Sequence, residues 1–283
     1  MIVKILNVFN NNVLPETSLK GKHGNAFYFE MEDERFLFDT GADGNILLHN
    51  LNELNISPDY IDKIIFSHGH DDHTIGLHDF MKARTIQDKI TIIGHPLLTE
   101  KKYLRFLRLR ISYIGFPKLD QDIENKINYT LSRNSIQING YLSTTGEITN
   151  RPFKDGTAKY MVHRENGKWV KDPLLDDLSL VLKTTKGLVL ICGCCHAGLL
   201  NTCAHVTKIF KEPISTIIGG THMMFFSKKE VLHVAESLKR DYNSPQLYLN
   251  HCTGKRKIKI LKQYFGAKIV KPCVVGTELR FEC

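Results

Sequence analysis

Short apolar runs punctuated by polar or glycine-containing turns dominate the chain, and only a few stretches carry a helical period. Residues 2–9 alternate apolar and polar positions imperfectly and predict a strand, which Asn10-Asn11-Asn12 closes with turn chemistry. Residues 26–30 and 35–38 predict two further strands joined by the polar Glu32-Asp33-Glu34, and the second ends in Asp39-Thr40-Gly41. Residues 45–55 place Ile46, Leu47, Leu48, Leu51 and Leu54 at helical spacing, and Ser57-Pro58 ends that helix. A short strand within 61–66 follows, then a helix over 74–83 with Ile75, Leu77, Phe80 and Met81 inward. Residues 90–96 predict another strand, ending in His95-Pro96.

The second half repeats one plan. Residues 136–138 and 141–148 predict strands, and the polar stretch 149–177, with turn signals at Lys154-Asp155-Gly156 and Glu165-Asn166-Gly167, predicts an exposed hairpin or loop. Residues 178–184 and 187–192 predict a hairpin through Thr185-Lys186. The second of these strands runs into Gly193-Cys194-Cys195-His196 and then a helix over 199–210. Residues 214–222 end in His222 before a helix over 228–241, and residues 246–254 again give apolar strand, His251, glycine and helix. Residues 268–270 and 277–281 predict the closing strands.

Composition narrows the class. At 283 residues, 42% hydrophobic and 24% charged, the chain can bury a sizeable core. It lacks a run of about 18 apolar residues, so no transmembrane helix and no membrane partner are expected. The start reads as a strand and lacks the features of a signal peptide. Seven cysteines, an odd number without a secretion signal, favour a reducing cytoplasm over a disulfide framework. The net charge of +8 fits a nucleic-acid partner or an anionic substrate, but charge alone favours a solvated basic surface.

The chemistry concentrates at Ser67-His68-Gly69-His70-Asp71-Asp72-His73, where His68, His70, Asp72 and His73 fall within six positions. His68 and His70 share a direction if the chain is extended, and a turn into a helix brings Asp72 and His73 round to the same volume. Imidazole and carboxylate suit zinc, iron or manganese. Four strands end in histidine-bearing loops, at His68/His70, His196, His222 and His251, in a chain with 13 histidines. That repetition predicts loops converging on one edge of a sheet. Cys194 and Cys195 lie in one of them, and thiolates bind zinc well. His95 reads either as a contact to substrate or as a cap of the following helix. The stretch Lys101-Lys102-Tyr103-Leu104-Arg105-Phe106-Leu107-Arg108-Leu109-Arg110 interleaves cations with apolar residues. It reads as a wall for an anionic substrate, with Arg105 at its centre, as a membrane or nucleic-acid patch, or as a solvated amphipathic face.

His68-x-His70-x-Asp72-His73 resembles the signature of the metallo-β-lactamase superfamily. Gly193-Cys194-Cys195-His196-Ala197-Gly198, Gly219-Gly220-Thr221-His222 and His251-Cys252-Thr253-Gly254 resemble the branch that contains a pterin-linked synthase, the 7,8-dihydropterin-6-methyl-4-(β-D-ribofuranosyl)aminobenzene-5'-phosphate synthase type. The resemblance implies an α/β fold, a four-layer αββα sandwich, over residues 1–283 as one domain, with a basic helical or lid segment inserted near 100–135. It implies one or two divalent metals, with His68 and His70 on one and Asp72, His73 and His251 on the other. His196 stands near the place of a bridging Asp, Asp177 is a possible extra ligand, and Asp39 supports a ligand from behind. The expected activity is metal-dependent hydrolysis of an ester or phosphoester in a small anionic substrate, with Asp72 orienting the nucleophile and His222 assisting. Pterin-linked group transfer and nucleic-acid processing are the alternatives.

Overall fold

The computed structural model describes residues 1–106 and 110–283, so Leu107, Arg108 and Leu109 of the basic stretch lie outside the described residues. The first half supplies β1 (Ile2–Asn10), β2 (Asn25–Met31), β3 (Glu34–Phe38), α1 (Gly44–Glu53), β4 (Lys63–Ile65), α2 (Asp71–Thr74), α3 (Gly76–Ala83) and β5 (Ile90–Gly94). Then come β6 (Tyr103–Phe106), β7 (Arg110–Tyr113), α4 (Gln121–Glu124), β8 (Ile127–Leu131) and β9 (Leu142–Thr144). The second half supplies β10 (Met161–Glu165), β11 (Lys168–Lys171), β12 (Ser179–Thr184), β13 (Gly187–Cys192), α5 (Leu199–Phe210), β14 (Ile214–Gly219), α6 (Lys228–Asp241), β15 (Gln246–Leu249), α7 (Lys255–Phe265), β16 (Val270–Pro272) and β17 (Glu278–Glu282).

Two large sheets form the frame, in the orders β17-β1-β2-β3-β4-β5-β8 and β16-β15-β14-β13-β12-β9. Each is antiparallel on one side and parallel on the other, with β3, β4, β5 and β8 parallel in the first and β13 to β16 parallel in the second. Strand alternation explains the layering. In β3, Phe36 and Phe38 face the other sheet while Leu37 faces the helices; in β13, Val189 and Ile191 face inward while Leu188 and Leu190 face outward. Three apolar layers result. One lies between the sheets, one under α1 and α3, and one under α5, α6 and α7. This is the expected αββα sandwich. Caps fix the helix starts: the Asp43 side chain accepts from Ile46 N, and Ser227 and Glu230 make a reciprocal capping box on α6.

The segment near 100–135 departs from the helical expectation. Its residues 103–106 and 110–113 are strands, and β6 pairs with β7 and β10 in a small sheet ordered β11-β10-β6-β7. Among the described residues there, helix is confined to the four residues of α4, and β8 then joins the first large sheet. The polar stretch 149–177 contains the expected hairpin, β10 to β11, whose turn residues Asn166 and Gly167 both take positive φ. In the 136–148 region only β9 is a strand, with Gln137 making an isolated bridge to Ser143. Ile75, expected inward, is exposed at the junction of α2 and α3. Among the described residues no helix is long and apolar enough to cross a membrane.

Phe36 is fully buried between the sheets and stacks on Phe29 at 4.7 Å. Phe36→Ala is expected to cost about 3–5 kcal/mol. The check is the midpoint of urea unfolding, with an unchanged slope confirming that the effect is on stability.

Candidate metal centre

The parallel strands of both sheets end at one edge, and the loops that leave them carry the chemistry. Asp39 follows β3, His68 and His70 follow β4, His196 follows β13, His222 follows β14 and His251 follows β15. Gly69 sits between the first two histidines so close to the Leu98 carbonyl that a Cβ would collide with it. Gly219, at φ +107°, closes β14 against the Cys192 carbonyl in a conformation open to glycine. Asp39, Cys195, His222 and His251 take positive φ without being glycine. Such strained backbone gathers where the surrounding structure needs a side chain aimed precisely.

The imidazoles form one continuous cluster. His68 Nε2 lies 2.9 Å from His70 Nδ1. The His196 ring stands 4.8 Å from that of His68 and 4.9 Å from that of His70, and 4.2 Å from that of His222. On the other side His73 packs 4.4 Å from His68 and 5.2 Å from His251. Asp72 Oδ2 is 3.2 Å from His251 Nε2 and 3.1 Å from His23 Nε2. Cys194 Sγ lies 3.1 Å from His73 Nε2. Its sulfur groups with His68 and His196, and equally with His73 and His251, the ligand atoms in each trio lying within 4.8 Å of one another. The thiol therefore stands between two donor sets.

Support comes from behind. Asp39 Oδ1 accepts from Ser67 N at 2.8 Å, while Oδ2 accepts from Ser67 Oγ at 2.8 Å and contacts His73 Nδ1 at 2.7 Å. With Nδ1 so engaged, His73 presents Nε2 to the cluster, the arrangement in which a carboxylate orients a ligating histidine. Ser67 Oγ also meets His68 Nδ1 at 2.9 Å.

Electrostatics keep the imidazoles of His68, His70, His196, His222 and His251, but not that of His73, neutral and ready to donate a lone pair. Burial holds His68 and His196 well below the usual histidine range, and pulls His70 to about 3 and His222 and His251 to about 4. Burial opposes the charge on His73 too, yet the Asp39 and Asp72 carboxylates raise it to about 9. Burial disfavours the charged form of Asp72, but His73, His23 and His251 hold it well below the carboxylate range. His70 Nε2, both ring nitrogens of His196 and His222 Nδ1 are buried without a hydrogen-bond partner. Buried polar atoms normally find one. Neutral imidazoles with unmet lone pairs, beside an ionised carboxylate and a thiol, fit a divalent metal.

A cavity of about 310 Å³ opens onto the cluster. His70, Asp72, His196, His222 and His251 form its floor with Cys194 and Cys252, and its opposite side is apolar. No Lys or Arg among the described residues lines it. A larger depression of about 940 Å³, with Lys208, Lys211 and Lys239 in its lining, lies at the far edge of the second sheet and contains neither histidine nor cysteine.

The cluster brings together His68, His70, Asp72, His73, His196, His222 and His251, backed by Asp39. Three residues singled out in the sequence sit elsewhere. His95 is buried with both ring nitrogens occupied, by Glu147 Oε2 at 2.9 Å and Leu97 N at 3.1 Å, so it caps the following turn and does not line the cavity. Arg105 points to the opposite side of β6, with its guanidinium 5.7 Å from the Trp169 ring. Asp177 accepts from Ala197 N at 2.8 Å behind the His196 loop, and burial raises it to about 6. Its neighbour Asp176 is bound by Lys102 Nζ at 3.0 Å and Gly69 N at 2.8 Å. His196, not Asp177, stands beside His68 and His70. Three further groups join the cluster: Cys194, Cys252 and His23. Pattern reading noticed the Cys194-Cys195 pair without separating its members. The fold does so, since Cys195 packs in the core under α5.

The metallo-β-lactamase superfamily model matches residues 19–198. The chain is 31% identical over 242 residues to a 7,8-dihydropterin-6-methyl-4-(β-D-ribofuranosyl)-aminobenzene-5'-phosphate synthase of Methanocaldococcus jannaschii, covering 82% of this chain and 81% of that protein. A solved metal-dependent hydrolase of the β-lactamase superfamily superposes with a TM-score of 0.80 at 24% identity, covering 98% of both chains. The metallo-β-lactamase fold protein YhfI from Bacillus subtilis superposes at 0.57 with 14% identity over 99% of both. These two structural likenesses speak for the fold.

Replacing His68 and His70 together by Ala is expected to abolish metal retention; unchanged metal content by elemental analysis would rule the centre out. Asp39→Asn, which keeps the shape but weakens the hold on His73, is expected to lower metal affinity about 10–100-fold. Competition against a chromophoric chelator measures it.

Proposed function

The chain belongs to the metallo-β-lactamase superfamily, and from that premise we propose that it is a metal-dependent hydrolase acting on an ester or phosphoester of a small molecule. The observation that carries this reading is the set of buried, neutral imidazoles with unpartnered nitrogens facing a cavity at the strand ends. His68, His70 and His196 would hold one metal and Asp72, His73 and His251 a second, with Cys194 between them; zinc is the first choice for such donors, and manganese or iron are alternatives. A bound divalent metal supplies Lewis acidity and lowers the pKa of water toward neutrality.

The protein's own groups do the rest. Asp39 and Ser67 hold His68 and His73 in register, so the donor set is assembled before substrate arrives. Asp72 stays ionised and orients the attacking water from the cavity floor. His222 is neutral and its ring lines the cavity beside His196. From there the imidazole is offered to the leaving oxygen as a proton carrier. The apolar side of the cavity excludes water and strengthens these interactions. The cavity's small volume favours a metabolite over a nucleic-acid strand, and no Lys or Arg among the described residues lines it.

A second reading has one specific support. The synthase relative, 31% identical, carries a name that describes formation of a pterin-linked product. The same site could serve group transfer to an incoming amine, in place of hydrolysis.

Protein reconstituted with zinc, manganese or iron is expected to turn over members of a phosphodiester and ester panel, while His68→Ala is inactive. Silence across that panel, together with consumption of a dihydropterin pyrophosphate and an aminobenzene acceptor, would replace hydrolysis by transfer. His222→Ala is expected to reduce kcat by about 100-fold or more with metal content retained.

A further inference from the structure

The wall of the cavity opposite the histidines is built by elements that the metal chemistry does not need. Alternation along β6 sends Leu104 and Phe106 into the cavity, while Arg105 turns away toward Trp169. Tyr160, just before β10, and Phe225, just after His222, complete that side. The three rings form a connected group. Phe106 and Tyr160 stack at 4.8 Å with planes 27° apart, and Tyr160 meets Phe225 edge-on at 5.8 Å. Phe225 in turn stands 5.8 Å from His222. Phe106 is 45% exposed and Phe225 53% exposed, a large apolar exposure at the mouth of a site.

Two described cations beside this wall are already engaged. Lys102 is buried against Asp176 and Asp172, Arg105 lies against Trp169, and no Lys or Arg among the described residues lines the cavity. What the wall presents is aromatic faces and edges, and these recognise another flat π-system by offset stacking and edge contacts.

We propose that Phe106, Tyr160 and Phe225 form a slot for a planar, uncharged aromatic or heteroaromatic ring, attached to the group that reacts over the histidine floor. This deepens the hydrolase reading and rests on it for the reacting group, but the slot itself requires no metal. The substrate class is accordingly an aryl-bearing ester or phosphoester.

The test separates ring binding from reaction. Calorimetric titration with 2-naphthol, a planar ring without a hydrolysable bond, is expected to show saturable binding to the wild-type protein whether or not metal is loaded. Phe106→Ala and Phe225→Ala are each expected to weaken that binding roughly tenfold. Both side chains are half exposed, so the variants should fold, and unchanged metal content and unfolding midpoint confirm it. In the kinetic arm, 2-naphthyl phosphodiesters should be preferred over methyl analogues through KM, and the two variants should erase that preference. Naphthol that fails to bind, or that binds the variants as well as the wild type, overturns the slot. Naphthol binding that persists without turnover of any ester or phosphoester keeps the slot and removes the hydrolase reading instead.

Discussion

The Asp39 carboxylate is the constraint on which the site depends. It sits just past the end of β3 in a left-handed backbone conformation and is completely buried. Its two oxygens take the Ser67 backbone and hydroxyl and the His73 ring, so one side chain fastens the end of β3, the start of the histidine loop and the short helix α2. Remove the charge and three pieces of chain lose their common anchor. A buried carboxylate is tolerated because every partner it has is a donor, and it raises His73 despite burial. The frame supplies the position: β3 and β4 are parallel neighbours, so their ends lie side by side at one edge.

The second sheet answers the first. β13, β14 and β15 are also parallel, and their ends deliver His196, His222 and His251 across the gap between the sheets. Burial then does the chemical preparation. An imidazole surrounded by apolar core and other imidazoles cannot hold a proton near neutrality, so its lone pair stays available. The floor of the cavity is thus a product of the core packing as much as of the ligand residues. The apolar layers under α5 and α6 fix where Cys194 points, because Cys192 and Cys195 on either side are part of them.

Much of this arrangement can be read in the chain. Strands that are buried on both faces appear as apolar runs, and a histidine at the end of such a run marks the edge where loops converge. That is why His68, His70, His196, His222 and His251 were identifiable together, and why the sandwich was expected. Residues whose role depends on direction were not legible. Arg105 and Leu104 are adjacent, and only the register of β6 decides which of them sees the cavity. Lys102 looked like a free cation until Asp172 and Asp176, some seventy residues away, were placed beside it. His95 carried the same signature as the site histidines, an apolar strand followed by a loop. Glu147, brought alongside by the start of the second sheet, occupies its ring instead. The mixture of cations and apolar residues over 101–110 has no clean period and reads equally as a solvated face until a pairing partner is known, and the partner of β6, β10, comes from the other half of the chain.

The small sheet of β6, β7, β10 and β11 has one more consequence. It is assembled from two hairpin-like excursions, one from each half of the chain, and it shares no strand with the two large sheets. Evolution can therefore rewrite the wall with little risk to the metal floor, exchanging one kind of cargo for another while the reactive machinery is inherited intact. The freedom is bounded where the wall meets the histidine loop, at the Ile114 carbonyl that accepts from Asp71 N at 2.9 Å and at Lys102. Lys102, just ahead of β6, reaches Asp176, and Asp176 holds the Gly69 amide between His68 and His70. Any lineage that remodels the wall must preserve that tether or find a substitute. The position of a lysine packed against the back of the histidine loop thereby marks the seam between the part of the molecule free to diversify and the part that is not.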